Sequence, residues 1–333
     1  MRQAYKSVLI ATAFALLAAS AVEGATKLKV ATIAPPKTPW FSHLEKWRDR
    51  VKKASNGELI LQLYPSGQLG NEYDVYKQVA RGRVDIGVFS GAVISANIPE
   101  LGLMSTPFLF DKTSTIDCIY DREMRADFEN LIGDKNMKNL QWGETGWFSA
   151  YAMDDLSDPA AAKGYKIRTA PTPMSKLMWE SVGASGIEVP YIETPAALQT
   201  GIVKGGETTI LGFMAFGLAK IAPNYLDMKQ YHQAGATLIS QKKFRSLSPE
   251  LQKILTDSLP PIAEVRTAIR GMSDALIKRF AAAGGHVRDM KNGHRTAWAA
   301  KVSPNWPEYV KILGGQSSKL WPKILAAKKT CGG

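Results

Sequence analysis

Hydrophobic positions recur along this chain in two alternating rhythms, short apolar runs and stretches of helical spacing. Leu28 to Ile33 is a short apolar-rich run that predicts a strand. After a proline-rich turn, APPKTP, the residues Trp40, Leu44, Trp47, Val51 and Ala54 mark one face of a helix. Thr38 is its N-cap, Pro39 takes the first helical position and Asn56-Gly57 ends it. Glu58 to Tyr64 predicts a second strand, and Asn71 to Arg81 a helix facing inward through Val75 and Val79. Val84 to Phe89 is a third strand, apolar around Asp85. Strand, helix, strand, helix, strand is a βαβ pattern, which requires a parallel sheet with right-handed crossovers. Mostly apolar strands suit a sheet with helices on both faces, so the fold class is α/β.

Pro99 to Phe110, broken by Pro107, reads as a buried loop, Asp121 to Ile132 as a helix and Lys138 to Trp142 as a strand. The central stretch Gly164 to Gly183 predicts a short strand around Tyr165, Ile167 and Ala170, with Arg168 near its carboxyl end. Thr172 and Pro173 then start a helix whose face is Met174, Leu177, Met178 and Ser181. Glu188 to Tyr191 predicts another short strand, and Thr194-Pro195 opens a helix running to Val203 that Gly205-Gly206 stops. Gly235 to Ser240 predicts a strand. Ser248-Pro249 opens a long helical region from Leu251 to Phe280, interrupted at Pro260-Pro261 and ended by Gly284-Gly285. Two further helices are expected at Trp306 to Leu313 and Leu320 to Ala327.

At 333 residues the chain exceeds what one core usually supports, so two lobes are expected. Its hydrophobic share of 45% and charged share of 22% exclude a disordered chain. Arg2 and Lys6, the apolar run Val8 to Ala19, and small residues at Ala19-Ser20-Ala21 or Val22-Glu23-Gly24 predict a cleaved signal peptide over residues 1–25. No cysteine follows closely enough for a lipid anchor, and the reading is export to the periplasm. Cys118 and Cys331 allow either one disulfide or two free thiols. The formal charge of +12 favours anionic solutes, or is simply a basic solvated surface. There is no nucleic-acid motif to sharpen it.

Candidate chemistry centres on Arg168. A guanidinium between a strand end and a helix start is well placed to bind an anion, because its rigid fork matches a carboxylate with two parallel hydrogen bonds. No GxSxG, HExxH or glycine-rich nucleotide loop occurs, and His43, His232, His286 and His294 show no ligand spacing. The sequence therefore calls for no cofactor or metal and points to binding rather than catalysis.

Several segments together carry a family resemblance. LYPSGQLG at Leu63 to Gly70, VARGRVDIG at Val79 to Gly87, PELGLMSTPFLF at Pro99 to Phe110, GYKIRTAPTP at Gly164 to Pro173, ALQTGIVKGGE at Ala197 to Glu207 and SPELQKIL at Ser248 to Leu255 resemble the DctP-type substrate-binding proteins of TRAP transporters. That resemblance implies a two-lobed periplasmic-binding-protein fold with an interlobe cleft and a long spanning helix. Lobe 1 would be 27–145 and 234–274, and lobe 2 would be 146–233 and 276–330. It implies a small organic acid as ligand and the TRAP membrane subunits as partner, with no nucleic acid. The alternatives are a small dicarboxylate receptor, or a sensory or scavenging receptor with a signalling partner.

The resemblance also assigns site residues. Arg168 matches the family's principal carboxylate-binding arginine. Phe148 stands where many acid-binding members have a second arginine, and Lys204 where an aspartate is usual. One lost cation and one gained ring imply a monocarboxylate with an apolar or aromatic body. Lys204 either restores a positive charge or faces solvent at a helix end. Trp40, Phe89, Ser90, Trp147, Thr208, Thr209 and Phe213 are the expected wall residues, Trp40 being equally readable as core. Glu207 is expected to orient Arg168 or to hold a cation.

Overall fold

The computed structural model describes residues 24–288, 290 and 293–333. Most of the leader predicted over 1–25 lies outside the described residues. Eleven strands occur in chain order among the described residues: β1 (Thr26–Thr32), β2 (Leu59–Tyr64), β3 (Ile86–Phe89), β4 (Met137–Trp142), β5 (Gly146–Ala152), β6 (Lys166–Thr169), β7 (Ser185–Glu188), β8 (Gly205–Thr208), β9 (Asn224–Gln233), β10 (Ala236–Ser240) and β11 (His286–Arg288). They form two sheets, ordered β2-β1-β3-β10-β4 and β11-β9-β5-β8-β6-β7.

The first sheet bears out the βαβ reading. β1 pairs parallel with both β2 and β3, through the helices Pro39–Ala54 and Glu72–Ala80. Thr38 caps the first helix by accepting from the Phe41 N–H, and Asn71 caps the second by accepting from Tyr73 and Asp74. β10 then adds antiparallel to β3 and to β4. Phe41, Leu44, Trp47 and Val51 bury one face of the first helix against Leu28, Val30, Leu59 and Leu61.

The chain passes between the sheets in two adjacent segments. Gly143 and Gly235 exchange backbone hydrogen bonds of 2.6 and 3.1 Å, and the Thr145 N–H donates to the Gln233 carbonyl at 3.1 Å. After β10 and the short helix Gln241–Ser246 come two more helices, at Pro249–Asp257 and Ile262–Ala282. The prolines at 260 and 261 separate them, as expected, because neither has an N–H to continue the ladder. The 21-residue helix packs against the Pro39–Ala54 helix beside the first sheet, and against Ile210–Ala215 and β11 of the second. It is the long spanning helix of the expected architecture.

Three expectations in the second sheet need correction. β9, ten residues long, has no counterpart in the sequence reading. The short strand expected at Glu188 to Tyr191 lies earlier, at Ser185–Glu188, and Tyr191–Glu193 is a 3-10 turn. The helix from Thr194 ends at Gln199, and Gly205-Gly206 opens β8 instead of stopping a helix. A Cβ on Gly205 would meet the Tyr151 carbonyl oxygen at 2.5 Å, so β8 lies against β5 because side chains are missing there. Cys118 and Cys331 form a disulfide that ties the C-terminal helix Ser317–Thr330 to the body.

Candidate binding site

β1 and β3 of the first sheet and β6 and β8 of the second end, and the antiparallel β10 begins, at one cavity of about 140 Å³. Thr32, Phe89, Ser90 and Ala236 line it from the first sheet and its loops, Arg168, Ala170, Thr208 and Thr209 from the second. The ends of strands in α/β sheets are where ligand crevices form.

Arg168 is 3% exposed. Its Nε donates to the Val189 carbonyl at 2.9 Å, and its guanidinium carbon stands 5.4 Å from the Tyr191 ring centroid. Among the described residues no carboxylate pairs with it, and its two Nη groups make no hydrogen bond. The local sequence produces this placement. β6 carries the arginine into the interior. Thr172 then accepts from the Ser175 N–H at 3.3 Å, and Pro173 starts the helix Pro173–Glu180, which turns the chain away from the cavity. Tyr191 is set in turn by Thr208, 2.8 Å from its hydroxyl. A Cβ at Gly212 would meet both of those hydroxyl oxygens at 2.7 Å, so glycine is what allows them so close.

Seven of the eleven predicted site residues line the cavity: Trp40, Phe89, Ser90, Phe148, Arg168, Thr208 and Thr209. Phe148 stacks on Tyr231 with ring centroids 5.1 Å apart and 20° between planes. Trp40 is both wall and packing residue, and its Nε1 donates to the Glu144 carbonyl at 2.9 Å. Thr209 caps Ile210–Ala215 by accepting from Gly212.

The other four lie away from the cavity lining. Lys204 is exposed, and its carbonyl is held by the Tyr165 hydroxyl and the Met153 N–H. Phe213 is fully buried among Tyr151, Tyr225 and Phe280. Trp147 packs edge-on against His232. Glu207, also fully buried, accepts hydrogen bonds from Ser175, Trp179 and Gln230. Burial raises its carboxyl above the usual range, against those bonds and the nearby Arg168 charge. Through these bonds it joins β8 to β9 and to the Pro173–Glu180 helix.

Several polar wall residues were not among the sequence candidates, and Glu72 and His43 are two of them. Glu72, in the first turn of its helix, accepts from the Ser90 N–H and hydroxyl, both at 2.8 Å. Burial raises its pKa to about 7, with the Ser90 bonds and the Arg168 charge pulling the other way. His43 is the other. The carboxylate that closes the helix-opening LGNE run, directly after the Asn71 cap, was the available signal for Glu72; His43 had only its position on the Trp40 helix. Arg168 is the one lysine or arginine among the described residues lining the cavity.

Known proteins share the family pattern and the fold of this chain. The profile of DctP, bacterial extracellular solute-binding protein family 7, matches residues 30–312. The 2,3-diketo-L-gulonate-binding periplasmic protein YiaO of Escherichia coli is 29% identical over 218 residues, which are 64% of this chain and just under two thirds, 66%, of that relative. Among solved structures, the sugar acid binding protein DctPAm of Advenella mimigardefordensis with galactonate superposes with a TM-score of 0.87 at 21% identity, over 92% of this chain and 99% of its own. A TRAP periplasmic solute-binding protein of Desulfovibrio salexigens with orotic acid gives 0.86 at 20% identity, over 92% and 99%. At these identities the structures show a shared fold.

Proposed function

Because the chain belongs to the DctP family of bacterial extracellular solute-binding proteins, we propose that it is a periplasmic receptor that captures an organic acid with one carboxylate and an apolar or aromatic body. It then presents the acid to a TRAP membrane permease. The signal peptide at 1–25 exports it, lobe 1 (27–145 and 234–274) and lobe 2 (146–233 and 276–330) close on the ligand, and no bond is broken.

One observation carries the reading: Arg168 is buried with its Nη groups uncommitted beside a cavity. A buried cation without a paired carboxylate is costly, and a ligand carboxylate supplies that counter-charge through two charge-assisted hydrogen bonds. The remaining wall favours a single acid group. Phe148, Phe89, Trp40, Phe216 and Ile262 give it an apolar body, and no second lysine or arginine among the described residues reaches it. The relatives that bind 2,3-diketo-L-gulonate, galactonate and orotic acid support an acid ligand.

The test is calorimetry with phenylacetate, mandelate, galactonate and succinate on wild type and Arg168→Ala. Wild type is expected to prefer the aromatic monocarboxylates over succinate. Arg168→Ala should weaken binding about 100-fold, since two hydrogen bonds to a charged group are worth about 3 kcal/mol. Unchanged affinity would remove Arg168 as the anchor, and a preference for succinate would overturn the apolar-body reading.

A further inference from the structure

The wall given by the first sheet contains a hydrogen-bond acceptor that the anchoring of a carboxylate does not use. It traces back to Pro260-Pro261, where the helical run breaks between Asp257 and Ile262. The break leaves the Pro260 carbonyl free, and Gln141 Nε2 donates to it at 2.9 Å. With its amide nitrogen committed there, Gln141 turns Oε1 toward His43, whose Nε2 lies 3.0 Å away. A carbonyl oxygen cannot donate, so the proton of that bond sits on His43 Nε2.

At neutral pH the environment of His43 favours the uncharged ring. Burial lowers its pKa, the Gln141 bond opposes this, Lys46 and Arg50 on the same helix lower it further, and Glu264 at the start of the long helix raises it. A neutral imidazole with its proton on Nε2 keeps a bare lone pair on Nδ1. Among the described residues no group donates to that Nδ1, and it is not one of the sealed, unpartnered polar atoms of the interior. The ring is half-buried and lines the same cavity as Arg168, but from the first helix and not from the second sheet.

We propose that His43 is a specificity-determining residue whose Nδ1 accepts a hydrogen bond from a hydroxyl or N–H on the body of the acid held by Arg168. Gln141 is its positioning residue, since it fixes the tautomer and ties the ring to the start of the long helix. The receptor then selects donor-bearing acids over their unsubstituted counterparts, because an acid without the donor leaves Nδ1 dehydrated and unpaired. This inference rests on the acid-receptor reading and narrows its substrate class.

The experiment titrates phenylacetate, mandelate and para-hydroxyphenylacetate into wild type, His43→Phe and Gln141→Leu, and records the histidine ring ¹⁵N spectrum of each. At least one hydroxylated acid is expected to bind wild type about tenfold tighter than phenylacetate. His43→Phe should bring that ratio to about one, and Gln141→Leu should reduce it partway. The wild-type spectrum should show His43 protonated on Nε2, with Nδ1 shifting on addition of the hydroxylated acid but not of phenylacetate. A ratio near one in wild type, equal losses for all three acids in His43→Phe, or a proton on Nδ1 would each overturn the assignment while leaving the acid receptor intact. Failure of all three acids to bind wild type would fell the receptor reading and this inference with it.

Discussion

Glu72 shows how much one side chain in the wall can change the behaviour of the empty receptor. Its carboxyl rises from an ordinary 4.5 to about 7 because burial penalises the anion more than Ser90 and Arg168 support it. The folded protein therefore holds this proton more tightly than the unfolded chain does. The stability it contributes is fully present below about 4.5 and is lost as pH rises through about 7. At about 1.4 kcal/mol per pKa unit the full span is roughly 3 kcal/mol. Glu72→Gln keeps the shape and the contact with Ser90 but cannot titrate. Denaturant unfolding of ligand-free protein at a series of pH values should show wild type losing stability relative to Glu72→Gln between pH 4.5 and 7. A constant difference would mean that Glu72 is already ionised throughout.

At the scale of elements, the turn from β6 into the Pro173–Glu180 helix controls where Arg168 points. Thr172 caps that helix, and the Ser175 hydroxyl both accepts from the Ala170 N–H and donates to Glu207. Thr172→Ala should cost about 1 kcal/mol of stability. It should also weaken acid binding severalfold by loosening the exit of β6. Unfolding and titration check the two effects separately, and a stability loss with unchanged affinity would make the cap purely structural. This stretch was legible in the sequence because cap, proline and arginine follow one another locally. β9 was not. Its sequence NYLDMKQYHQ is neither alternating nor apolar, because Asn224, Gln230, His232 and Gln233 are buried, and the first three bond to partners distant in the chain. β8 was misread for a related reason: its glycines answer to a neighbouring strand and not to their own chain. The same limit explains the site. Arg168 sits in a motif and Phe148 at a position the family resemblance marks, whereas the meaning of Glu72 and His43 lies in Ser90, Gln141 and Pro260, residues that only folding brings near them.

Across the whole molecule, the passage between the sheets is held by charge. Glu144 sits between β4 and β5, 4% exposed, and accepts from His232 Nε2 at 2.8 Å and from Arg270 at 3.0 and 3.1 Å. Arg270 continues to Asp117 at 2.7 and 2.8 Å, and Arg266 joins Asp117 to Asp121. The network thus connects the junction, β9, the long helix and the helical segment that carries Cys118. Burial alone would raise the Glu144 carboxyl, but His232 and Arg270 outweigh it and hold the group below its usual range. Its sign is therefore opposite to that of Glu72: the stabilisation is present above the ordinary carboxylate pKa and is lost on acidification. Glu144→Gln should destabilise the protein by about 3 kcal/mol at neutral pH, because it leaves a half-buried arginine short of one partner. The gap between the two proteins should close as pH falls below about 4, which unfolding curves would show directly. A gap that stays open in acid would mean the loss comes from altered packing at the junction. A gap that closes would make the charge itself what fixes the long helix against the point where the chain crosses between sheets, and so what sets the cost of moving one sheet relative to the other.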